Sequence, residues 1–126
     1  MKKQNMMVMG WFLLVASFWA NSAYANKLPT VTYSVAGYEI QMEFLEKDQL
    51  RWTYLNAPKA SEIGMSAVED ADIMKLRKGL YLMAWSEKSG AKIVDVFDFN
   101  KQKLYANYIS KEGNRYKSEA NFKPLD

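Results

Sequence analysis

The chain has 126 residues with 17 basic and 14 acidic side chains, no Cys and no His. The missing Cys excludes disulfides, thiolate metal sites and lipid attachment at a leader cysteine; the missing His excludes a Ser-His-Asp or Cys-His triad and any imidazole-held zinc or iron. The formal charge of +3 drops to +1 when Lys2 and Lys3 leave with the leader described next, so charge gives no case for nucleic acid or an anionic membrane surface as a partner.

Residues 1–25 read as a signal peptide. Lys2 and Lys3 form the positive n-region, Met6 to Ala20 the apolar h-region, and Ala23-Tyr24-Ala25 a small-residue cleavage site. Gly10 and Ser17 interrupt an h-region that is already short of the roughly 20 apolar residues of a spanning helix. Cleavage after Ala25 is expected to release residues 26–126 as a periplasmic or secreted protein with no stable membrane anchor. That length suits one domain, which has to hold together by its core and its ladder hydrogen bonds.

Eight strands are predicted in chain order. Thr30 to Ala36 alternates, and Gly37 turns it into Tyr38 to Leu45. There Tyr38, Ile40, Met42 and Phe44 share one face, with Glu39, Gln41 and Glu43 opposite. After the turn Glu46-Lys47-Asp48, Gln49 to Asn56 puts Leu50, Trp52 and Tyr54 on one face. Ala57 to Ser66, with Pro58 and Gly64, reads as the longest loop. Ala67 to Arg77 fits a short helix or a strand, and its context favours a strand. Leu80 to Glu87, Ala91 to Phe99, Lys103 to Ser110 and Arg115 to Phe122 follow, separated by tight polar turns. Hairpin-short connections favour an all-β, antiparallel, up-and-down barrel over a Greek key.

Several runs resemble the MoaF-like domains, small relatives of the molybdenum-cofactor-biosynthesis protein F. They are Gly79-Leu80-Tyr81-Leu82-Met83-Ala84-Trp85-Ser86-Glu87, then Gly90, then Val94, Val96, Asp98 and Phe99, then Lys103-Leu104-Tyr105-Ala106-Asn107. Tyr38-Glu39-Ile40 with Phe44 and Leu50-Arg51-Trp52-Thr53 are similar to the early strands of the same pattern. The resemblance implies a lipocalin-like (calycin) barrel of eight antiparallel strands around a central cavity. The larger relative is associated with cytoplasmic cofactor assembly, whereas this chain has an export leader and a single domain. Phenolic acid decarboxylases, which use Tyr, Arg and Glu around the cavity, are an analogy of architecture alone.

Three constellations could carry chemistry. Trp52, Tyr54, Tyr81, Trp85, Tyr105 and Tyr108 lie on strands that would line or cap the barrel, and could either fill a core or grip a flat ligand. Asp95 shares a face with Ile93 and Phe97; if that face points inward, the carboxyl is either paired, with Arg51, Arg77 or Lys92, or shifted in pKa. Tyr33, Tyr38 and Tyr54 with Arg51 and Glu69 could form a histidine-free acid–base site. The acidic run Glu69-Asp70-Ala71-Asp72 lacks the glycine-punctuated spacing of a calcium loop and reads as a solvated rim. The expectation is an exported module that binds a small hydrophobic or aromatic molecule through Trp52, Tyr54, Trp85 and Tyr105, with Asp95 or Arg51 fixing a polar group and no cofactor. The alternatives are a lyase or isomerase that uses Tyr and a carboxylate, and a protein-interaction adaptor.

Overall fold

The computed structural model describes residues 27–125; the signal peptide expected at residues 1–25 lies outside them. Nine antiparallel strands form one sheet: β1 (Val31–Val35), β2 (Tyr38–Phe44), β3 (Gln49–Asn56), β4 (Ser66–Asp70), β5 (Asp72–Arg77), β6 (Leu80–Ser86), β7 (Lys92–Asp98), β8 (Lys103–Ile109) and β9 (Arg115–Pro124). Each strand pairs with its chain neighbours, save that β4 and β5 do not pair with each other, and β1 pairs with β9, so the order β4-β3-β2-β1-β9-β8-β7-β6-β5 curls into a nearly closed up-and-down barrel. Among the described residues the helical content is a single 3₁₀ turn at Ala60–Glu62, in the long loop.

The expected eight strands become nine because the fourth changes partner. β4 bonds β3 as far as Asp70, opposite Gln49, where β3 begins and offers no further partners. The Ala71 N–H donates instead to Asp48 O at 2.9 Å, in the β2–β3 turn. From Asp72 the chain bonds β6, starting opposite Ala84. The upper half of β4 and the upper half of β6 therefore face each other with no ladder between them, and a lateral cleft of about 520 Å³ opens there.

Period-two alternation decides what fills the barrel. On β2, Ile40, Met42 and Phe44 point inward while Glu39, Gln41 and Glu43 face out. On β7, Ile93, Asp95 and Phe97 point inward. One end is plugged by aromatic rings. Phe97 is fully buried, with ring centroids 5.5 Å from Phe44, 5.7 Å from Phe122 and 6.1 Å from Phe99; Phe99 lies 5.8 Å from Tyr81. Edge-to-face and offset contacts of this kind add to plain burial.

The turns agree with the sequence. Ala36 and Gly37 both have positive φ, 52° and 86°, as a two-residue hairpin turn of the primed type requires. Gly79, at φ 81°, abuts Asn100: an added Cβ would lie 2.6 Å from that side chain's terminal atoms. The Asn100 amide is itself fixed, donating to Lys78 O at 3.0 Å.

Candidate binding site at the open end

The other end is more open: Tyr108 and Tyr116, on inner-face positions, are 41% and 56% exposed, and polar groups join the rings there. Trp52, Tyr54 and Tyr38 form a run of rings on β3 and β2, with centroid separations of 4.8 Å and 4.6 Å. Their placement follows from backbone bonding. Tyr54 N–H donates to Met65 O and Gly64 N–H donates to Tyr54 O, both at 2.8 Å, so the long loop is clamped to Tyr54. The β2–β3 register slips between Glu39 and Ile40, and such a bulge re-aims neighbouring side chains. The 3₁₀ turn supplies Glu62, whose carboxylate accepts from Tyr38 Oη at 3.1 Å.

The two tryptophans have polar tips held by carboxylates. Trp52 Nε1 donates to Glu69 Oε2 at 3.0 Å, and Trp85 Nε1 donates to Glu87 Oε2 at a longer 3.4 Å. Trp85 is buried on β6 and, with Glu69, Ala71 and Ile93, lines the lateral cleft. Glu87 continues the inward alternation of Tyr81, Met83 and Trp85 just past the end of β6. Burial raises the Glu87 pKa, the Trp85 hydrogen bond opposes this, and Glu69 adds to the rise.

Asp95 is the most unusual group. It is 3% exposed, and its Oδ1 has no hydrogen-bond partner. Burial pushes its pKa up to about 8; the Asn107 backbone N–H opposes the shift and the Glu87 charge adds to it. Its cross-strand neighbours are Met83 and Ala106. Farther round the wall, β9 offers only Ser118 and Ala120 at that height, so small side chains face Asp95. Tyr33, also buried, has its hydroxyl pKa raised well above the usual value by burial first, then by Asp95, Tyr54 and Glu87. Tyr54 is pushed up to about 12, mainly by burial, then by Glu87.

The structure thus gathers Trp52, Tyr54, Trp85 and Asp95 on the inner wall. Arg51 and Tyr105 are not among them. Arg51 lies between inward Leu50 and Trp52, so it points outward, where it pairs with Glu43 at 2.9 Å. Tyr105 lies between inward Leu104 and Ala106, and it is 36% exposed on the outer wall. Tyr108 shares the inner face with Ile93, whereas Tyr81 belongs to the aromatic plug. None of Arg51, Arg77 and Lys92 pairs with Asp95. Of the possible acid–base set, Tyr33, Tyr38, Tyr54 and Glu69 face inward without Arg51. Asp70 and Asp72 alternate away from the barrel, and among the described residues no group of three acidic side chains could hold a metal ion. Glu87 was not singled out from the sequence, although the spacing Tyr81, Met83, Trp85, Glu87 carries the signal.

Comparison with known proteins supports the architecture. A crystal structure from Burkholderia vietnamiensis, provisionally described as a beta-lactamase, superposes with a TM-score of 0.68 at 14% identity, covering 77% of this chain and 92% of that one. At that identity the likeness concerns the fold alone. Comparison with curated proteins gives no match. The model of the MoaF-like family matches residues 28–123, the whole barrel to within a residue of its last strand's end. The chain belongs to the MoaF-like family.

Proposed function

We propose that this chain is an exported binding module for a small molecule with an aromatic or otherwise apolar body, taken up at the open end of the barrel. The observation that carries this reading is the uneven distribution of polar-tipped rings. Rings pack against one another at both ends, but the plug is mostly phenyl rings. At the open end the Tyr38 hydroxyl donates to Glu62, and Trp52 and Trp85 tie their Nε1 tips to Glu69 and Glu87, with Trp85 and Glu69 lining a cleft. A ring anchored by its polar edge keeps its apolar face for a ligand. The export leader supports action outside the cytoplasm, and an intact mass beginning at Asn26 in the periplasmic or extracellular fraction is the expected outcome.

The binding test is a titration of wild-type protein and Trp85→Ala with a panel of apolar fluorescent probes, beside thermal melts of both. Saturable binding by wild type is expected, weakened about tenfold by the substitution through loss of apolar contact area. A wild type that binds no probe would mean that the barrel is filled by its own side chains. The adaptor reading would then take over, with exposed Val68, Met74 and Leu76 along β4–β5 as the surface to probe.

One observation favours a second reading. A carboxyl raised to about 8 can give up a proton near neutral pH, so Asp95 beside Tyr33 has the acid of a histidine-free lyase or isomerase. Extraction of molecules that copurify with wild type and Asp95→Asn separates the two. A binding module yields one and the same compound wherever a compound is retained, in lower amount from the variant, and an enzyme yields product from wild type and unconverted substrate from the variant.

A further inference from the structure

We propose that the ligand is an organic cation, an alkylammonium on an aromatic or apolar body, with Asp95 as its counter-ion inside the barrel. This rests on the binding-module reading and specifies the ligand's chemical class. Three observations carry it.

First, Asp95 Oδ1 is a buried acceptor without a donor. A buried carboxyl costs stability unless it is paired, and among the described residues no cation pairs it. Second, the charges acting on the lumen are of one sign. Glu87 acts on Asp95, Glu69 acts on Glu87, and Asp95 and Glu87 act on Tyr33. Around these groups the inward positions are Val35 on β1, Tyr38 and Ile40 on β2, Trp52 and Tyr54 on β3, Ala67 and Glu69 on β4, Met83 and Trp85 on β6, Ile93 on β7, Ala106 and Tyr108 on β8, and Tyr116 and Ser118 on β9, with no Lys or Arg. Lys75 shares a face with Tyr81, but it is exposed at the plugged end. The cleft is acid-biased too, with Glu69, Asp70 and Asp72 against Lys92 alone. Third, Trp52, Tyr54 and Trp85 stand on the inner face of β3 and β6, with Trp85 also lining the lateral cleft, and aromatic ring faces attract a cation. An anion would meet mostly like charge here, with Lys92 alone of opposite sign in the cleft lining. A neutral molecule would leave Glu87 and Glu69 uncompensated.

The proton count follows. Without ligand, Asp95 holds a proton near neutral pH because burial disfavours its charge. On binding, that proton leaves to solvent, the ligand's ammonium N–H donates to Oδ1, and the ion pair forms inside the barrel. Binding should therefore strengthen as pH rises towards about 8, as long as the amine stays charged. Glu87, Glu69, Tyr33, Tyr38, Tyr54, Tyr108 and Tyr116 are the other titratable groups on the facing walls, and none of them is a cation.

The test is calorimetric titration of the purified protein with phenethylamine, phenethyl alcohol and phenylacetate, which share one body and differ in charge. The amine should bind more tightly than the alcohol by about tenfold or more, the usual worth of a charge-assisted hydrogen bond, and the carboxylate least. Titration in buffers of different ionisation enthalpy should show proton release with the amine only. Asp95→Asn, checked by thermal melt for folding, should lose the preference for amine over alcohol while still binding the alcohol. Binding of the alcohol or carboxylate as tight as the amine would overturn the cation assignment and leave the binding module standing. So would binding of apolar fluorescent probes without any of the three. Failure to bind these compounds and the probes alike would remove both readings.

Discussion

Two aspartates three residues apart on β7 show the difference between the two ends of the barrel. Asp98 is buried near the plugged end, and its Oδ1 accepts from the backbone N–H groups of Asn100 and Lys101, both at 3.0 Å. It is a turn-capping group, and its carboxylate holds the β7–β8 hairpin in shape. Asp95 is buried at mid-barrel facing the open end, and its Oδ1 accepts from nothing. The same side chain on the same strand serves the fold in one place and burdens it in the other. A burden carried inside an otherwise well-packed barrel points to binding.

The sharpest way to break this comparison is to empty the plug. Phe97 is fully buried and has four ring neighbours, Tyr33, Phe44, Phe99 and Phe122, so Phe97→Ala should cost about 3–5 kcal/mol, read by denaturant unfolding. By contrast, Trp85→Ala removes a ring that borders the lateral cleft, where the wall is already open. Its cost should be smaller, about 1–3 kcal/mol, with the larger loss in probe binding. Equal destabilisation by the two would mean that both ends are core.

Asp95→Asn should move stability the other way. The folded-state pKa of about 8 lies above the ordinary 3.8, so the folded protein holds a proton that the unfolded chain has released. Stability is therefore greatest below the ordinary value, falls as pH rises across that window, and levels off above about 8. Asn is neutral at every pH and can still accept from the Asn107 N–H. The variant should melt higher than wild type at neutral pH, by about 1–3 kcal/mol of added stability, with a flatter pH dependence. Burial raises Glu87 in the same direction, so a shallow slope should remain. A variant less stable than wild type at pH values near 7 would show that the carboxyl is satisfied in a way the geometry does not reveal.

Much of this contrast was legible in the sequence, because alternation along a strand is a local property. The inward sets Ile40-Met42-Phe44 and Leu50-Trp52-Tyr54 could be read directly, as could the strands bounded by Gly37, Gly79, Gly90 and Gly113. The sign of a face is not local. Asp95 inward and Tyr105 outward depend on which side of the sheet closes on itself, and β7 and β8 carry apolar side chains on both faces. The ninth strand was illegible for a similar reason. Nothing within Ala67 to Arg77 marks Ala71 as the point where one partner strand ends and another begins. Glu87 closes the predicted strand Leu80 to Glu87 in step with Tyr81, Met83 and Trp85, but which face of that strand turns inward is set, as for Asp95, by how the sheet closes.

Arg51 gives the smallest expected effect and the cleanest check on the wall assignment. From composition alone it was a natural partner for a polar ligand group, since a guanidinium near Trp52 and Tyr54 could clamp a carboxylate. The structure turns it outward, opposite Glu43 on β2, with both side chains substantially exposed. An exposed cross-strand ion pair gains little, because water screens it and ordering two long side chains costs entropy. Arg51→Ala should therefore change stability by less than about 0.5 kcal/mol and leave the affinity for phenethylamine unaltered. An inward Arg51 would behave differently. It would repel the ammonium, and its removal would strengthen amine binding while weakening that of phenylacetate. Opposite shifts for the two ligands in this one variant would place a cation in the lumen and remove the basis for an acidic cavity. Unchanged binding of both would confine Arg51 to the outer wall, leaving Asp95 without a counter-charge of its own.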